Sequence, residues 1–223
     1  MVTQEHRVDA MKKSYPYVDI LIGAGCTSTF LPSLEHIEEE AHIRVLDPDG
    51  AIAEGLPVRR ESKTKAWVSV MYGRNNFCTY CVVPYVRGRE RSREPDAILE
   101  EVKGLVADGC REITLLGQNV NSYGKDLIKD GRGCDFADLV EKICLLDGDF
   151  ILRFMTSHPK DANRKLIDVM AKSRKCARQF HLPLQSGSAR VLKAMNRHYT
   201  PEEYLSLSAI CGRRCPESRY PPT

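Results

Sequence analysis

The sequence predicts an α/β protein: a partial parallel (β/α) barrel preceded by part of a separate domain. Three observations predict it. From residue 66 onward, apolar strand-like runs alternate with segments of helical period. The intervening helices are about a dozen residues long, which suits parallel βα units and not an antiparallel sheet. Four such units are visible, whereas a closed eight-fold barrel takes about 250 residues, so only part of a barrel fits.

The elements follow in order. "AWVSVMYG" (66–73) reads as the first strand. The segment 94–108 sets Ile98, Leu99, Val102, Leu105 and Val106 on one helical face, with Pro95 near its start. "EITLLGQ" (112–118) is a second, buried strand, and a helix runs through "FADLVEKICLL" (136–146). "ILRFMTSH" (151–158) is the third strand, after which Asp161 is expected to cap the helix carrying Leu166, Ile167 and Met170. "QFHLPLQ" (179–185) is the fourth strand and "SARVLKAMN" (188–196) another helix. Thr200 and Glu203 form a capping box, with Pro201 at the first helical position.

The first 62 residues differ. "YVDILIG" (17–23) and "HIRVLD" (42–47) read as two short strands around a charged helix, 33–41. A polar connector rich in turn residues then leads to the first barrel strand. The expected division is 1–62 for this part and its linker, 63–210 for the incomplete barrel, and 211–223 for an irregular tail.

Composition excludes some classes. Charged residues make up 28% and hydrophobic ones 42% of the 223, which is ordinary for a water-soluble globular chain. No apolar run is long enough to span a bilayer, so no membrane is expected. "MVTQEHRVDAMKKSYPYVD" lacks the apolar centre of a signal peptide, and a cytoplasmic address is the expectation. A net charge of +3 is too small to argue for nucleic acid by itself. In "VRGRERSR", Arg87, Arg89, Arg91 and Arg93 occupy alternate positions, which an extended segment would place on one side. That could bind phosphate, but the favoured reading is a solvated loop whose arginines pair with Glu90 and Glu94.

Nine cysteines are present. Cys110, Cys134, Cys144 and Cys176 lie in or beside apolar patterns and read as small buried hydrophobes. Cys26, Cys211 and Cys215 lie in irregular stretches and take no role. Cys78 and Cys81 alone are spaced to share a metal or to form a redox pair.

In parallel βα folds chemistry gathers at the C-terminal ends of the strands. Gln118, Asn119, Asn121, Ser157, His158, Gln185 and Ser186 therefore converge on one mouth, as a grip for a polar cofactor. His158 is open between a base or RNA contact and a structural hydrogen bond. His181 is expected to be a satisfied core histidine. No serine stands in a nucleophile-like context, and no residue is assigned to catalysis.

The run "AWVSVMYGRNNFCTYCVVPYVRGRERSREP" resembles the radical-SAM methylthiotransferases, as do "EITLLGQNVNSYGKD", "RFMTSHPKD", "HLPLQSGS" and "MNRHYTPEEYL". The likeness is greatest to the branch that adds a methylthio group to isopentenyladenosine beside the tRNA anticodon. It implies a barrel of radical-SAM type, preceded by the end of an N-terminal methylthiotransferase domain. It also implies a C-x-x-x-C-x-x-C loop whose three thiolates hold a [4Fe–4S] cluster, with the open iron receiving S-adenosylmethionine. Carried over, Cys78 and Cys81 match the second and third ligands, and Arg74 stands where the first cysteine belongs. Tyr80 corresponds to the aromatic that packs on the cofactor's adenine; of the strand-end residues, Gln118, Ser157 and Gln185 are the expected cofactor-binding ones. The implied partners are tRNA and an electron donor such as a flavodoxin-type protein.

A guanidinium stays protonated and offers no lone pair, so Arg74 cannot replace a thiolate. Two readings thus stand beside each other. One is a methylthiotransferase acting on tRNA. The other is a catalytically inactive fragment, because Arg74 replaces a cluster cysteine and flanking domains are missing. A zinc or thiol-redox C-x-x-C protein is a third reading, and a second ligand pair for zinc is not evident.

Overall fold

The computed structural model describes residues 5–23, 26, 29–37, 43–45, 52, 54–55, 58–131 and 133–215. Two compact units emerge. The first gathers the described residues among Met1–Leu56 with Tyr72–Phe77 and Cys81–Glu90; the second comprises Pro57–Met71, Cys78–Tyr80 and the described residues from Arg91 on.

In the first unit, α1 (Glu5–Ser14) precedes β1 (Ile20–Ile22), α2 (Phe30–Glu35) and β2 (Ile43–Val45). β1 and β2 pair in parallel, Ile20 opposite Ile43, as a strand–helix–strand crossover requires. The expected helix at 33–41 starts earlier, at Phe30, and its residues 38–41 lie outside the described residues. α1 carries no expectation from the sequence. α3 (Val83–Arg87) completes this unit, with Pro84 in its first turn, where a missing N–H costs nothing.

The second unit is built on a parallel sheet of β3 (Lys65–Ser69), β6 (Glu112–Leu116) and β7 (Ile151–Phe154), in the order β3-β6-β7. Trp67 stands opposite Thr114, which stands opposite Arg153. The central strand β6 is buried along its middle, whereas β3 alternates, burying Ala66 and Val68 and exposing Trp67 at 61%. The expected strand 66–73 breaks at Val70 into β3 and a two-residue strand, β4 (Met71–Tyr72). Val70 still donates to Leu116 O, but its carbonyl accepts from Arg93 N at 3.0 Å. A second two-residue strand, β5 (Arg91–Ser92), follows α3.

α4 (Pro95–Ala107) buries Ile98 and Val102 as its period dictates. α5 (Lys125–Lys129) and α6 (Phe136–Cys144) follow β6, and Asp135 closes a capping box on α6. α7 (Arg164–Lys172) is capped by Asn163, whose Oδ1 accepts from Leu166 N at 2.9 Å. This corrects the assignment of that cap to Asp161, which ends the short 3-10 turn Pro159–Asp161 instead. α8 (Ala189–Ala194) and α9 (Pro201–Arg214) are the last helices among the described residues, the latter with the expected Thr200–Glu203 capping box. α9 continues through Arg214, with Cys211 and Cys215 buried, so residues 211–215 are not an irregular tail. Residues 216–223 lie outside the described residues.

Two further expectations are corrected. The run 179–185 buries Phe180 and Leu182 but forms no strand among the described residues, pairing only as an isolated bridge at Gln179. Backbone pairing with β7 falls earlier: Leu152 N donates to Lys175 O at 2.7 Å, and Ala177 N to Leu152 O at 2.8 Å. Pro183 has no N–H to give, and Gln185 lies at φ 66°, outside strand geometry. The alternating arginines neither share one side of an extended segment nor form the solvated loop favoured from the sequence. Arg87 ends α3, and Arg93 is buried, its guanidinium 2.7 Å from Glu101.

The core of this unit runs from Ala66 to Cys215. A chain of edge-to-face rings threads it: Tyr123 on Phe136, Phe136 on Phe154 at 5.2 Å, Phe154 on Phe180 at 5.7 Å. Among the described residues no helix is long and apolar enough to cross a membrane.

Candidate cofactor site

Residues 78–80 dock on the C-terminal end of α8. The last carbonyls of a helix have no partner within it. Here Thr79 supplies two: its N–H donates to Met195 O at 3.3 Å and its hydroxyl to Ala194 O at 3.2 Å. That docking buries Cys78 and sets Tyr80 beside Gln185, with Tyr80 Oη 3.3 Å from Gln185 Oε1. The Tyr80 ring is otherwise exposed, a free face on which a flat group can stack.

Cys78 Sγ accepts a hydrogen bond from Arg197 Nη1 at 3.3 Å. Arg197 is 7% exposed, and its guanidinium lies 5.7 Å from the centre of the Tyr199 ring. Burial disfavours its charge, but the bonds to Cys78 and Tyr199 prevail and hold its pKa above the ordinary value. Tyr199 in turn meets the His158 ring edge-on at 5.6 Å and donates its hydroxyl to Leu184 O. Nothing in the order of residue types marks Arg197 as a partner of Cys78, 119 positions away.

Cys81 is half-buried. Arg74 is partly exposed, and its backbone N–H donates to Gly88 O at 3.0 Å. The preceding Gly73 sits at φ 71°, and a Cβ there would fall 1.8 Å from Arg89 O, so the turn admits glycine alone. Among the described residues, no group of three or more His, Cys, Asp or Glu side chains is placed to hold a metal ion.

The loops after β6 and β7 are tied together. Val120 N donates to Thr156 O at 3.2 Å, and the Thr156 hydroxyl donates to Gly117 O. Asn119 Nδ2 donates to Asp161 Oδ2 at 2.6 Å, and Lys125 pairs with the same carboxylate. Burial raises the Asp161 pKa, but Lys125, Lys160 and Asn119 outweigh it and hold it below the usual carboxylate range. His158 Nδ1 accepts from Lys160 N at 3.2 Å, which makes it the cap of the Pro159 turn. Ser186 accepts from Ser188 N, a turn-forming role. His181 is only half-buried, and its Nδ1 has no partner, which corrects the satisfied core histidine expected there.

Several buried polar atoms here have no protein partner: Ser157 Oγ, both side-chain amide atoms of Asn121, Asn119 Oδ1 and Arg197 Nε. Buried polar groups nearly always pair with protein, water or a ligand. Two non-glycine residues with positive φ, Thr156 and Gln185, lie in these loops, whereas Asn196, also at positive φ, is the left-handed residue that ends α8. Gln118 is half-buried beside Asn119 in the chain.

A model of the radical SAM superfamily matches residues 68–217. The tRNA-2-methylthio-N(6)-dimethylallyladenosine synthase of Desulforamulus reducens is 49% identical over 98% of this chain and 48% of its own length. The enzyme so named from Carboxydothermus hydrogenoformans is 51% identical over 97% of this chain and 49% of its own. The chain thus spans about half the length of the curated relatives it matches. Among solved structures, the radical S-adenosylmethionine methyltransferase TsrM of Kitasatospora setae, with cobalamin and a [4Fe-4S] cluster bound, aligns with a TM-score of 0.54. It is 18% identical and covers 74% of this chain and 33% of its own. OxsB, a cobalamin-dependent S-adenosylmethionine radical enzyme, gives 0.53 at 12% identity, covering 67% of this chain and 22% of its own. At such identities the two speak for the fold alone.

Proposed function

The chain belongs to the radical SAM superfamily, and from that membership we propose that it serves the methylthiolation of N6-dimethylallyladenosine in tRNA. The observation that carries this reading is identity of 49–51% along nearly the whole chain to two enzymes named for that product. A cytoplasmic address and a flavodoxin-type electron donor belong to the same proposal. So does the division into residues 1–62, the end of a methylthiotransferase domain with its linker, and a barrel from residue 63.

We place S-adenosylmethionine at the strand ends of the second unit. The support is chemical: Ser157 Oγ, the Asn121 amide and Arg197 Nε are buried polar atoms that a ligand bearing ammonium, carboxylate and ribose groups can pair. Tyr80 offers its exposed ring to the adenine, held in place by Gln185, and Gln118 lines the same loops. When bound, the cofactor supplies a sulfonium whose cleavage yields an organic radical. The chain's own part is to orient that ligand and to keep water from its charged end.

For the cluster the donor set falls short. Cys78 and Cys81 are the thiolates we assign to it, as the second and third ligands, and Arg74 occupies the position of the first. A guanidinium gives iron no electron pair, so this loop does not complete a three-thiolate set, and no radical step follows from these residues alone.

Grafting these residues into the Carboxydothermus hydrogenoformans relative, with either Arg or Cys at position 74, tests the reading. The expected result is the methylthio nucleoside in digested tRNA with Cys at that position and none with Arg. Absence of the product from a folded, iron-loaded chimera carrying Cys would overturn the assignment.

A further inference from the structure

A cavity of about 370 Å³ opens between the Pro159–Asp161 turn and the first half of α9. Ala162, Tyr204, Leu207 and Ile210, which pack on the core from outside, give it an apolar floor. Tyr204 donates its hydroxyl to Leu182 O at 2.9 Å, so its oxygen is committed and its ring is what it offers the cavity. Buried Tyr199 forms another wall. The same ring meets His158 edge-on and lies against the Arg197 guanidinium, which bonds Cys78 Sγ at 3.3 Å. Tyr199 and Arg197 thus link this cavity to the candidate cofactor site.

The exposed part of the lining is polar. Lys160, from the turn, brings an ammonium that lies 3.9 Å from Asp161 Oδ2, and His198 brings an imidazole. Glu203, in the first turn of α9, brings a carboxylate. Its Oε2 accepts from Thr200 N at 2.8 Å, while Thr200 Oγ1 accepts from Glu203 N at 3.2 Å. The capping box therefore holds this carboxylate in one place, as an acceptor. Cation and carboxylate come from different elements, so the two charges mark different sides of the opening.

Size and chemistry together define the occupant. Sites for small organic ligands run from about 300 to 1,000 Å³, and a cavity at the lower end takes one nucleotide-sized molecule. An apolar floor with an aromatic ring receives a flat base. An ammonium at the opening receives a phosphate. A fixed carboxylate accepts from an amine and repels a carbonyl oxygen. We propose that this cavity binds one nucleotide whose base carries an exocyclic amine, with its phosphate toward Lys160 and His198 and its amine toward Glu203. The pocket stands on these walls alone; an RNA chain as the source of the nucleotide rests on the function proposed above. An RNA residue seated here would neighbour the base presented to the cofactor.

Calorimetric titration of the chain with CMP and with UMP tests this, because the cytosine carries the amine where uracil carries a carbonyl. CMP should bind at least about tenfold more tightly than UMP. K160Q should weaken CMP binding by about tenfold, through loss of a charge-assisted bond to phosphate. S206W, at an exposed position of the lining, should abolish binding by filling the cavity while leaving the core alone. A short RNA hairpin with cytidines in its loop that displaces CMP assigns the source to RNA. A hairpin that binds without displacing CMP assigns it to free nucleotide. No CMP binding to the folded chain, equal affinity for UMP, or undiminished binding in both folded variants would overturn the proposal. None of these readouts needs a cluster or a methylthio product, so their outcome is separate from that of the chimera.

Discussion

Arg197 donates a hydrogen bond from Nη1 to the sulfur of Cys78 at 3.3 Å, while its guanidinium rests against the Tyr199 ring. A charge this buried is retained only when something nearby repays its desolvation. R197M should therefore loosen residues 78–80 and lower stability by about 1–2 kcal/mol in urea unfolding. R197K should recover little of it, because an ammonium cannot bond to sulfur and stack flat on Tyr199 at once. Full recovery by lysine would show that charge alone matters.

Iron loading gives a direct reading of Arg74. After anaerobic reconstitution with iron and sulfide, the chain should hold far fewer than the ~4 irons of an intact cluster. R74C should raise iron content and visible absorption together. Equal loading of both proteins would refute the role given to residue 74.

Asp161 links the loop after β6 to the turn after β7, through Asn119 and Lys125. Its pKa is lowered in the folded state, so its contribution is fully present above the unfolded value of about 3.9. That contribution is lost as pH falls through the lower, folded value. D161N should cost about 1–3 kcal/mol at pH 7 and flatten the acid limb of a stability–pH curve. An unchanged acid limb would mean that the carboxylate is not coupled to folding.

Gly73 is a backbone requirement, since its φ of 71° and the nearby Arg89 carbonyl both exclude a side chain. G73A should destabilise the turn by about 1–3 kcal/mol. Faster amide exchange at Arg74, whose N–H bonds Gly88 O, would report the opening. Protection equal to that of the parent chain would count against this reading.

Much of the barrel was legible because its signals are local or periodic. The helix through Ile98 and Val102 and the Thr200–Glu203 capping box both appear where the pattern puts them. The failures have local causes too. Asn163 and Asp161 are both competent caps, and the sequence does not say that Lys125 and Asn119 claim the second. Leu182 is buried as a strand residue would be, yet Pro183 and the backbone at Gln185 deny the run a ladder. α9 outlasts its apolar pattern because Cys211 and Cys215 face the core, and two cysteines amid arginines do not read as a helix. At the site, Tyr80 and Gln185 were named separately and the fold brings them together, whereas the Arg197–Cys78 contact is set by tertiary structure alone.

Trp67 is the one tryptophan in the chain, and it stands in solvent on β3 at 61% exposure. Its emission should therefore be red-shifted and readily quenched by iodide even in the folded protein. Any event that dries this strand's outer side, without disturbing the buried Ala66 and Val68, will announce itself as a blue shift from a single fluorophore.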